Sequence, residues 1–172
     1  MFAKLKQRWK DTRTIMALSL DAERRALQAG QQHPGAEHYT LAALDLEDGS
    51  ARRVFERIGA DPEAYRAALA ERHAAALSTL GIDAESLQQA EPSSPANAST
   101  LFDAQPSGQA LMQSLPELQR RLPAPLCGAH VLLAAAAMTH SAAGRALKTI
   151  HIEPQALSRA AEEELRSLIA PV

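Results

Sequence analysis

Cysteine and aromatic residues are scarce in this chain of 172 residues. The single cysteine, Cys127, excludes a disulfide framework within one chain and is typical of a reducing cytosol, so we expect a cytoplasmic protein. Aromatic residues make up only 3% of the sequence, while the apolar share of 46% contains much alanine. Because alanine favours helices and β-sheets favour aromatic and β-branched residues, this composition predicts an all-α protein.

The chain also lacks a strong net charge and a long apolar run. Its formal net charge of −2 gives no overall attraction to nucleic acid, so no nucleic-acid partner is expected. No segment approaches the ~20 consecutive apolar residues of a membrane span, and the apolar run from Ile15 is too short for a signal peptide. Residues 1–13 are nevertheless basic and include Trp9. This start is either a solvated first turn or tail, or a tail that docks on a membrane surface or a partner.

Apolar residues recur at helical spacing in the first half of the sequence. Gly30 and Gly59 are typical of helix ends, and Thr12 stands where an N-cap is expected. Asp61 followed by Pro62 is a typical helix start, with proline at the first helical position. Together these signals predict four helices, over residues 12–29, 36–46, 50–58 and 62–77.

The composition changes at residues 91–100, EPSSPANAST, where the proline and serine content is typical of a linker. The helical pattern then restarts, and Pro116 is expected to kink or split the first helix because proline removes a helical hydrogen bond. The predicted helices cover residues 106–122, 129–138 and 142–150. A last helix is predicted from the apolar stripe Leu157, Ala161, Leu165 and Leu168.

The two halves repeat one another at a constant offset of 92 residues. His38 returns as His130, and Pro62 returns as Pro154. Four apolar positions of the third helix also return: Ala51, Val54, Phe55 and Ile58 as Ala143, Ala146, Leu147 and Ile150. A gapless offset indicates a duplicated four-helix unit, and two such units are expected to pack about a pseudo-two-fold axis. We therefore expect a first repeat at 1–90, a linker at 91–105 and a second repeat at 106–172, together forming one globular domain.

The repeated pattern resembles the Clp amino-terminal repeat domain. A glycine, a glutamate and a histidine precede an apolar helix, and a small-residue turn leads to a second apolar helix that ends near glycine. The matching residues of the first copy are Gly35, Ala36, Glu37, His38, Leu41, Leu44, Ala51, Phe55, Ile58 and Gly59. Those of the second copy are Gly128, Ala129, His130, Leu132, Leu133, Ala143, Leu147 and Ile150.

In that family the domain heads an ATP-driven protein unfoldase, where it captures substrates and adaptors. The resemblance therefore implies a protein or peptide partner and no cofactor. A P-loop needs a glycine-rich turn followed by Lys and Ser or Thr, but Gly30–Gly35 is followed by Ala36 and Glu37. We expect a non-enzymatic binding module for a Clp chaperone or protease system, either standing alone or as part of a longer protein.

The resemblance also implies where partners bind. Some relatives hold phosphorylated arginine with a Thr-Glu pair in each repeat. Glu37 matches this pair, but Ala36 replaces the threonine, and the second copy has Gly128 and Ala129 at these positions. Thr12 matches a threonine that some relatives use at the start of their first helix. These five residues are the candidate partner-binding site, although Glu37 can instead complement the helix dipole and Thr12 can be a plain N-cap.

An alternative function of a different class is a small helical enzyme or ligand-binding bundle that uses Cys127, His130 and Glu37. A cysteine before a helix start can have a lowered pKa, but a nucleophile also needs a base and an orienting partner. His38 and His130 fall on apolar helix sides, so we expect core histidines rather than metal ligands. The acidic run Asp45–Asp48 lacks the spacing of a calcium loop and is expected to be a solvated turn. No catalytic residue and no metal site is expected.

Overall fold

The computed structural model of the chain describes residues 2–79 and 103–169, with side chains from residue 6 onward. These two segments form eight α-helices and contain no strand. The first segment holds α1 (Phe2–Gln28), α2 (Ala36–Leu44), α3 (Ser50–Arg57) and α4 (Pro62–Thr79). The second holds α5 (Pro106–Arg121), α6 (Gly128–Ala137), α7 (Ala142–Thr149) and α8 (Pro154–Ile169). The prediction of an all-α chain with four helices in each half is confirmed.

The first helix begins ten residues earlier than its apolar pattern predicts. Helix α1 starts at Phe2, so the basic segment forms the first turns of the helix. The expectation that Thr12 is an N-cap is therefore wrong, because its Oγ1 donates to the carbonyl of Arg8 at 2.9 Å within the helix. The end is as predicted: Gly30 has a left-handed φ of 71°, and the amide of Gln31 donates to the carbonyl of Ala26 at 2.8 Å.

Of the two effects predicted for Pro116, a kink or a split, the split is absent. Helix α5 runs from Pro106 to Arg121 with Pro116 inside it. The proline ring is exposed, so it displaces no buried contact. Other predicted boundaries hold: Gly59 ends α3 with a φ of 63°, and the carboxylate of Asp61 accepts the amide of Glu63 at 2.9 Å at the start of α4.

Helices α2 and α6 contact each other and lie at the centre of the core. Helix α1 packs on α2, and α5 packs on α6. The third and fourth helices of each half pack against the other half: α3 contacts α8, and α4 contacts α7. These pairs correspond to each other under the 92-residue offset, which is the pattern of an internal two-fold rotation. The predicted pseudo-two-fold packing of two four-helix repeats is thus confirmed.

Positions that correspond in the two halves have corresponding burial. Ala51 and Ala143 are fully buried, and Phe55 and Leu147 both lie in the core. The predicted stripe of α8 is buried at its first three positions, but Leu168 is 42% exposed.

Glu164 is a buried charge that the apolar pattern of α8 did not reveal. Its carboxylate accepts hydrogen bonds from Arg53 at 2.6 Å and from Arg57 at 2.9 Å, both on α3. Burial raises the pKa of Glu164, but these two guanidinium groups outweigh burial and hold the pKa below its usual value. The carboxylate thus joins the last helix of the second half to the third helix of the first half.

The predicted linker at 91–105 lies almost wholly outside the described residues, as does the segment 80–90 that precedes it. Its last residue, Gln105, is described, and the amide of Gln105 donates to the carbonyl of Pro34 at 3.0 Å. The repeat boundaries at 90 and 106 stay predictions.

Candidate functional site

The start of α2 is held by side chains from both halves. The amide of Gly35 donates to Nδ1 of His38 at 3.0 Å, and the amide of Ala36 donates to the hydroxyl of Ser107 on α5 at 3.2 Å. Since Nδ1 of His38 accepts, the neutral ring carries its proton on Nε2. Burial lowers the pKa of His38, and the neighbouring Glu37 only partly opposes this effect. Ala36 has no exposed surface, so it can offer a partner neither its side chain nor its amide.

Glu37 is the one residue of this helix start with an unused acceptor. Its side chain is buried, with the residue 9% exposed, and Oε1 lies 3.5 Å from Nδ1 of His38. Its second oxygen, Oε2, accepts no hydrogen bond from the described residues. A buried carboxylate oxygen without a donor is costly, but Oε2 is itself buried, so a donor such as a guanidinium or an amide could reach it only if this helix start opened.

The start of α6 is closed by the first half of the chain. The amide of Gly128 donates to Asp48 at 3.3 Å, and the amide of Ala129 donates to the hydroxyl of Ser50 at 2.8 Å. A Cβ on Gly128 would lie 2.8 Å from the carbonyl oxygen of Ala43, so only glycine fits there. Both amides that an anion would use are therefore occupied.

The structure places the five candidate residues at three separate locations. Ala36 and Glu37 lie together at the start of α2, and Gly128 and Ala129 lie together at the start of α6. Thr12 is exposed in the middle of α1. Its role in partner binding, like that of the other four, stays a prediction.

The structure brings Cys127 and His130 together, as the alternative hypothesis required. Sγ of Cys127 lies 3.4 Å from Nδ1 of His130, and Nε2 of His130 lies 3.2 Å from the carbonyl oxygen of Leu122. A carbonyl can only accept, so Nε2 carries the ring proton and the thiol donates to Nδ1. Burial raises the pKa of Cys127 and lowers that of His130. This pair is a protonated, buried thiol on a neutral ring, while Glu37 lies at the other helix start beside His38.

The acidic turn after α2 is an ion-pair network. Asp45 accepts hydrogen bonds from Arg66 at 2.7 Å and Arg52 at 3.1 Å, and it also contacts Arg25. Burial raises the pKa of Asp45, but the three arginines outweigh burial and hold the pKa below its usual value. Within the described ranges, no group of three or more potential ligands could hold a metal ion.

A groove of about 820 Å³ runs between α1 and the end of α2. We call it the α1–α2 groove. Its α1 wall is mainly basic and its opposite wall mainly acidic. The charged residues are Lys10, Arg13, Asp21, Arg24 and Arg25 on α1, with Asp45, Glu47, Asp48 and Arg53 across from them. Asp21 pairs with Arg24 and Arg25 of its own helix. Its apolar lining comprises Ala17, Ala42, Leu46, Pro125, Leu126 and Leu168. None of the five candidate residues lines it, and no local sequence signal could reveal it, because its walls come from four distant segments.

Comparisons with known proteins agree with this fold. The family model of the Clp repeat (R) N-terminal domain matches residues 12–122, which is more than half of the chain. Neither a curated protein nor a solved structure matches. No helix in the described part of the chain is long and apolar enough to cross a membrane. The match begins inside α1 and ends before α6, but α6–α8 repeat the helix order and contacts of α2–α4. The chain therefore belongs to the Clp repeat N-terminal domain family.

Proposed function

We propose that this chain is a non-enzymatic module that binds protein partners, namely substrates or adaptors of a Clp-type ATPase. The observation that carries the proposal is the match to the Clp repeat N-terminal domain in a chain whose described residues offer an open groove and no reactive thiolate. Such a module would act in the cytoplasm, either recruiting partners to a Clp ATPase or competing with the domain of the ATPase itself.

The α1–α2 groove is where we place the bound peptide. One wall is mainly basic and the other mainly acidic, and its lining includes Ala17, Leu46 and Leu126. A peptide with apolar side chains and mixed charges would bury the former against this lining and pair the latter with the walls. Arg25 and Asp45, which both line the groove, already form an ion pair with each other.

Glu37 is a second place where we infer a contact with a partner. It has an unused carboxylate oxygen, whereas the amides of Ala36, Gly128 and Ala129 are occupied by Ser107, Asp48 and Ser50. A basic group of the partner would satisfy this oxygen if the start of α2 opened to expose it, while a phosphate group would find no free amide among these three.

Affinity capture tests the proposal. The immobilised chain is incubated with purified bacterial Clp ATPases, with their adaptors and with a peptide library. Ala17→Glu places a charged side chain on the groove lining, and its matched control is Ala74→Glu on the exposed side of α4. We expect retention to fall about ten-fold or more for the groove variant, since several contacts are lost, and to stay unchanged for the control. Retention at background level for every ligand would show the proposal to be wrong.

The enzyme alternative receives a separate test. If Cys127 were a nucleophile, a thiol reagent would label it quickly in the native chain. We expect labelling at least about a hundred-fold slower than in the unfolded chain, because a buried, protonated thiol reacts only when the structure opens.

A further inference from the structure

Helix α1 has two apolar faces, and only one of them is used within the chain. Leu18, Ala22 and Ala26 are fully buried and form the face that packs against α2. The opposite face holds large apolar side chains that remain exposed: Trp9 at 63%, Met16 at 46%, Leu20 at 57% and Leu27 at 55%. A solvated helix surface does not need these residues, so the second face is available to a partner.

These exposed residues form one continuous line. A helix turns by ~100° per residue, so residues 9, 16, 20 and 27 fall within ~40° of one another and opposite Leu18. Arg13 and Glu23 complete the line. We call these six residues the α1 stripe: Trp9, Arg13, Met16, Leu20, Glu23 and Leu27. Their spacings of four, three, four, three and four are those of the seam of a coiled coil.

The α1 stripe matches itself when a second copy runs in the opposite direction. The midpoint of the stripe is at residue 18, so an antiparallel copy brings Met16 beside the partner's Leu20. In the same register Trp9 meets the partner's Leu27, and Arg13 meets the partner's Glu23. Each layer is then apolar with apolar or basic with acidic. A parallel pair would instead bring Arg13 beside the partner's Arg13, together with the other basic residues of the first half of α1.

We propose that two copies of this chain associate through the α1 stripe as an antiparallel helix pair. The stripe is ~27 Å long, which is the length of a short two-helix interface. Trp9 is already placed for such a contact, because the guanidinium of Arg13 lies 5.0 Å from the centre of its ring. An amphipathic aromatic residue of this kind is a typical interface anchor.

The dimer would carry two α1–α2 grooves on one particle. Apart from Arg13, no residue of the stripe lines the groove, so the dimer contact and the peptide contact use neighbouring faces of α1. A partner with two recognition segments would then bind both grooves and gain affinity from their linkage. The dimer itself does not depend on the proposed function.

Sedimentation velocity of the full chain, from low micromolar to several hundred micromolar, tests the association. We expect a concentration-dependent dimer whose Kd rises about ten-fold or more with Leu20→Glu, since this change places a charge in the seam. The matched control is Ile169→Glu, at a 39% exposed residue on α8, which should leave the Kd unchanged. A monomer at all concentrations, or equal effects of the two variants, would overturn the proposal. So would a monomer that binds anionic lipid vesicles through the stripe.

Disulfide trapping tests the orientation. In a Cys127→Ser background, one chain carries Met16→Cys and a second carries Leu20→Cys. The antiparallel register predicts that oxidation of their mixture yields mainly the mixed disulfide, because residues 16 and 20 share a layer. Predominant disulfides between identical chains would show a parallel pair and contradict the register. Circular dichroism of each variant checks that the helices are intact.

Discussion

The ends of α2 and α6 correspond under the 92-residue offset but differ in chemistry. In the first half, Asp45 at the end of α2 binds Arg66 of α4. Their equivalents are Ala137 and Ser158, which line a hollow of about 460 Å³ in the second half. The apolar positions of the repeat are kept because both halves need a core, whereas the polar positions have diverged.

The starts of α2 and α6 also correspond under the offset and also differ in their polar groups. Both keep a buried histidine, His38 and His130. The first start has Glu37 with an unused oxygen, while the second has Ala129, whose amide is bound by Ser50 from the first half. Side chains of the first half thus occupy the amides of the second start, while the first start keeps a buried carboxylate oxygen that accepts no hydrogen bond from the described residues.

The largest change in stability is expected when the equivalent core residues Phe55 and Leu147 are truncated. Phe55→Ala should lower the free energy of unfolding by about 3–5 kcal/mol and Leu147→Ala by about 2–5 kcal/mol, since each leaves a cavity. Because α3 packs on α8 and α4 on α7, each variant should shift one cooperative transition of the whole chain, measured by chemical denaturation. Two transitions, with only one of them shifted, would mean that the halves fold separately.

Removal of the buried carboxylate on α8 should have the next largest effect. Glu164→Ala leaves Arg53 and Arg57 without their acceptor, and we expect a loss of about 2–3 kcal/mol, moderated because both arginines reach solvent. Glu162→Ala is the matched control on the same helix, since its pair with Arg166 is exposed and should contribute less than about 0.5 kcal/mol. Equal losses for the two variants would contradict the role of Glu164.

The histidine at the start of α6 makes stability depend on pH. Burial lowers the pKa of His130, although Leu122, Asp11 and Asp48 oppose this effect. Below about pH 6.5 the unfolded chain therefore binds a proton that the folded chain does not, and the free energy of unfolding falls by at most about 1.4 kcal/mol per pH unit.

Denaturation at pH 7, 6 and 5 measures this dependence. His130→Gln should make it shallower but not abolish it, because burial also lowers the pKa of His38, whereas His140→Gln, at an exposed histidine, serves as the control. An unchanged slope in the first variant would show that the ring of His130 is not responsible.

The smallest effect is expected when the ion pair of Asp45 and Arg66 is introduced at the equivalent positions of the second half. Ala137→Asp with Ser158→Arg should fill the hollow beside α8 and raise the free energy of unfolding by about 0.2–1 kcal/mol, since both sites are partly exposed. The double-mutant cycle measures the coupling between the two new side chains. A coupling of zero would mean that the ends of α2 and α6 differ in shape as well as in side chains.

Much of the fold follows from local patterns, but the candidate site does not. Helical spacing and the constant offset predict which residues enter the core, because burial of a repeated apolar pattern decides them. The apolar pattern does not indicate where α1 starts, because Trp9 and the lysines around it lie off the buried face. Helix propensity is the remaining signal there, since lysine favours helix. Glu164 was missed because Arg53 and Arg57 meet it from more than a hundred positions away.

The packing of α3 and α4 against helices of the second half also affects how the chain folds during its synthesis. When the ribosome has released α4, α3 and α4 can contact α2 but still lack their partners in the second half, because α7 and α8 are still to be synthesised. The first half must therefore wait, with its apolar surface uncovered, until nearly the whole polypeptide has emerged. A newly made copy would depend on rapid completion or on a holding chaperone during that interval.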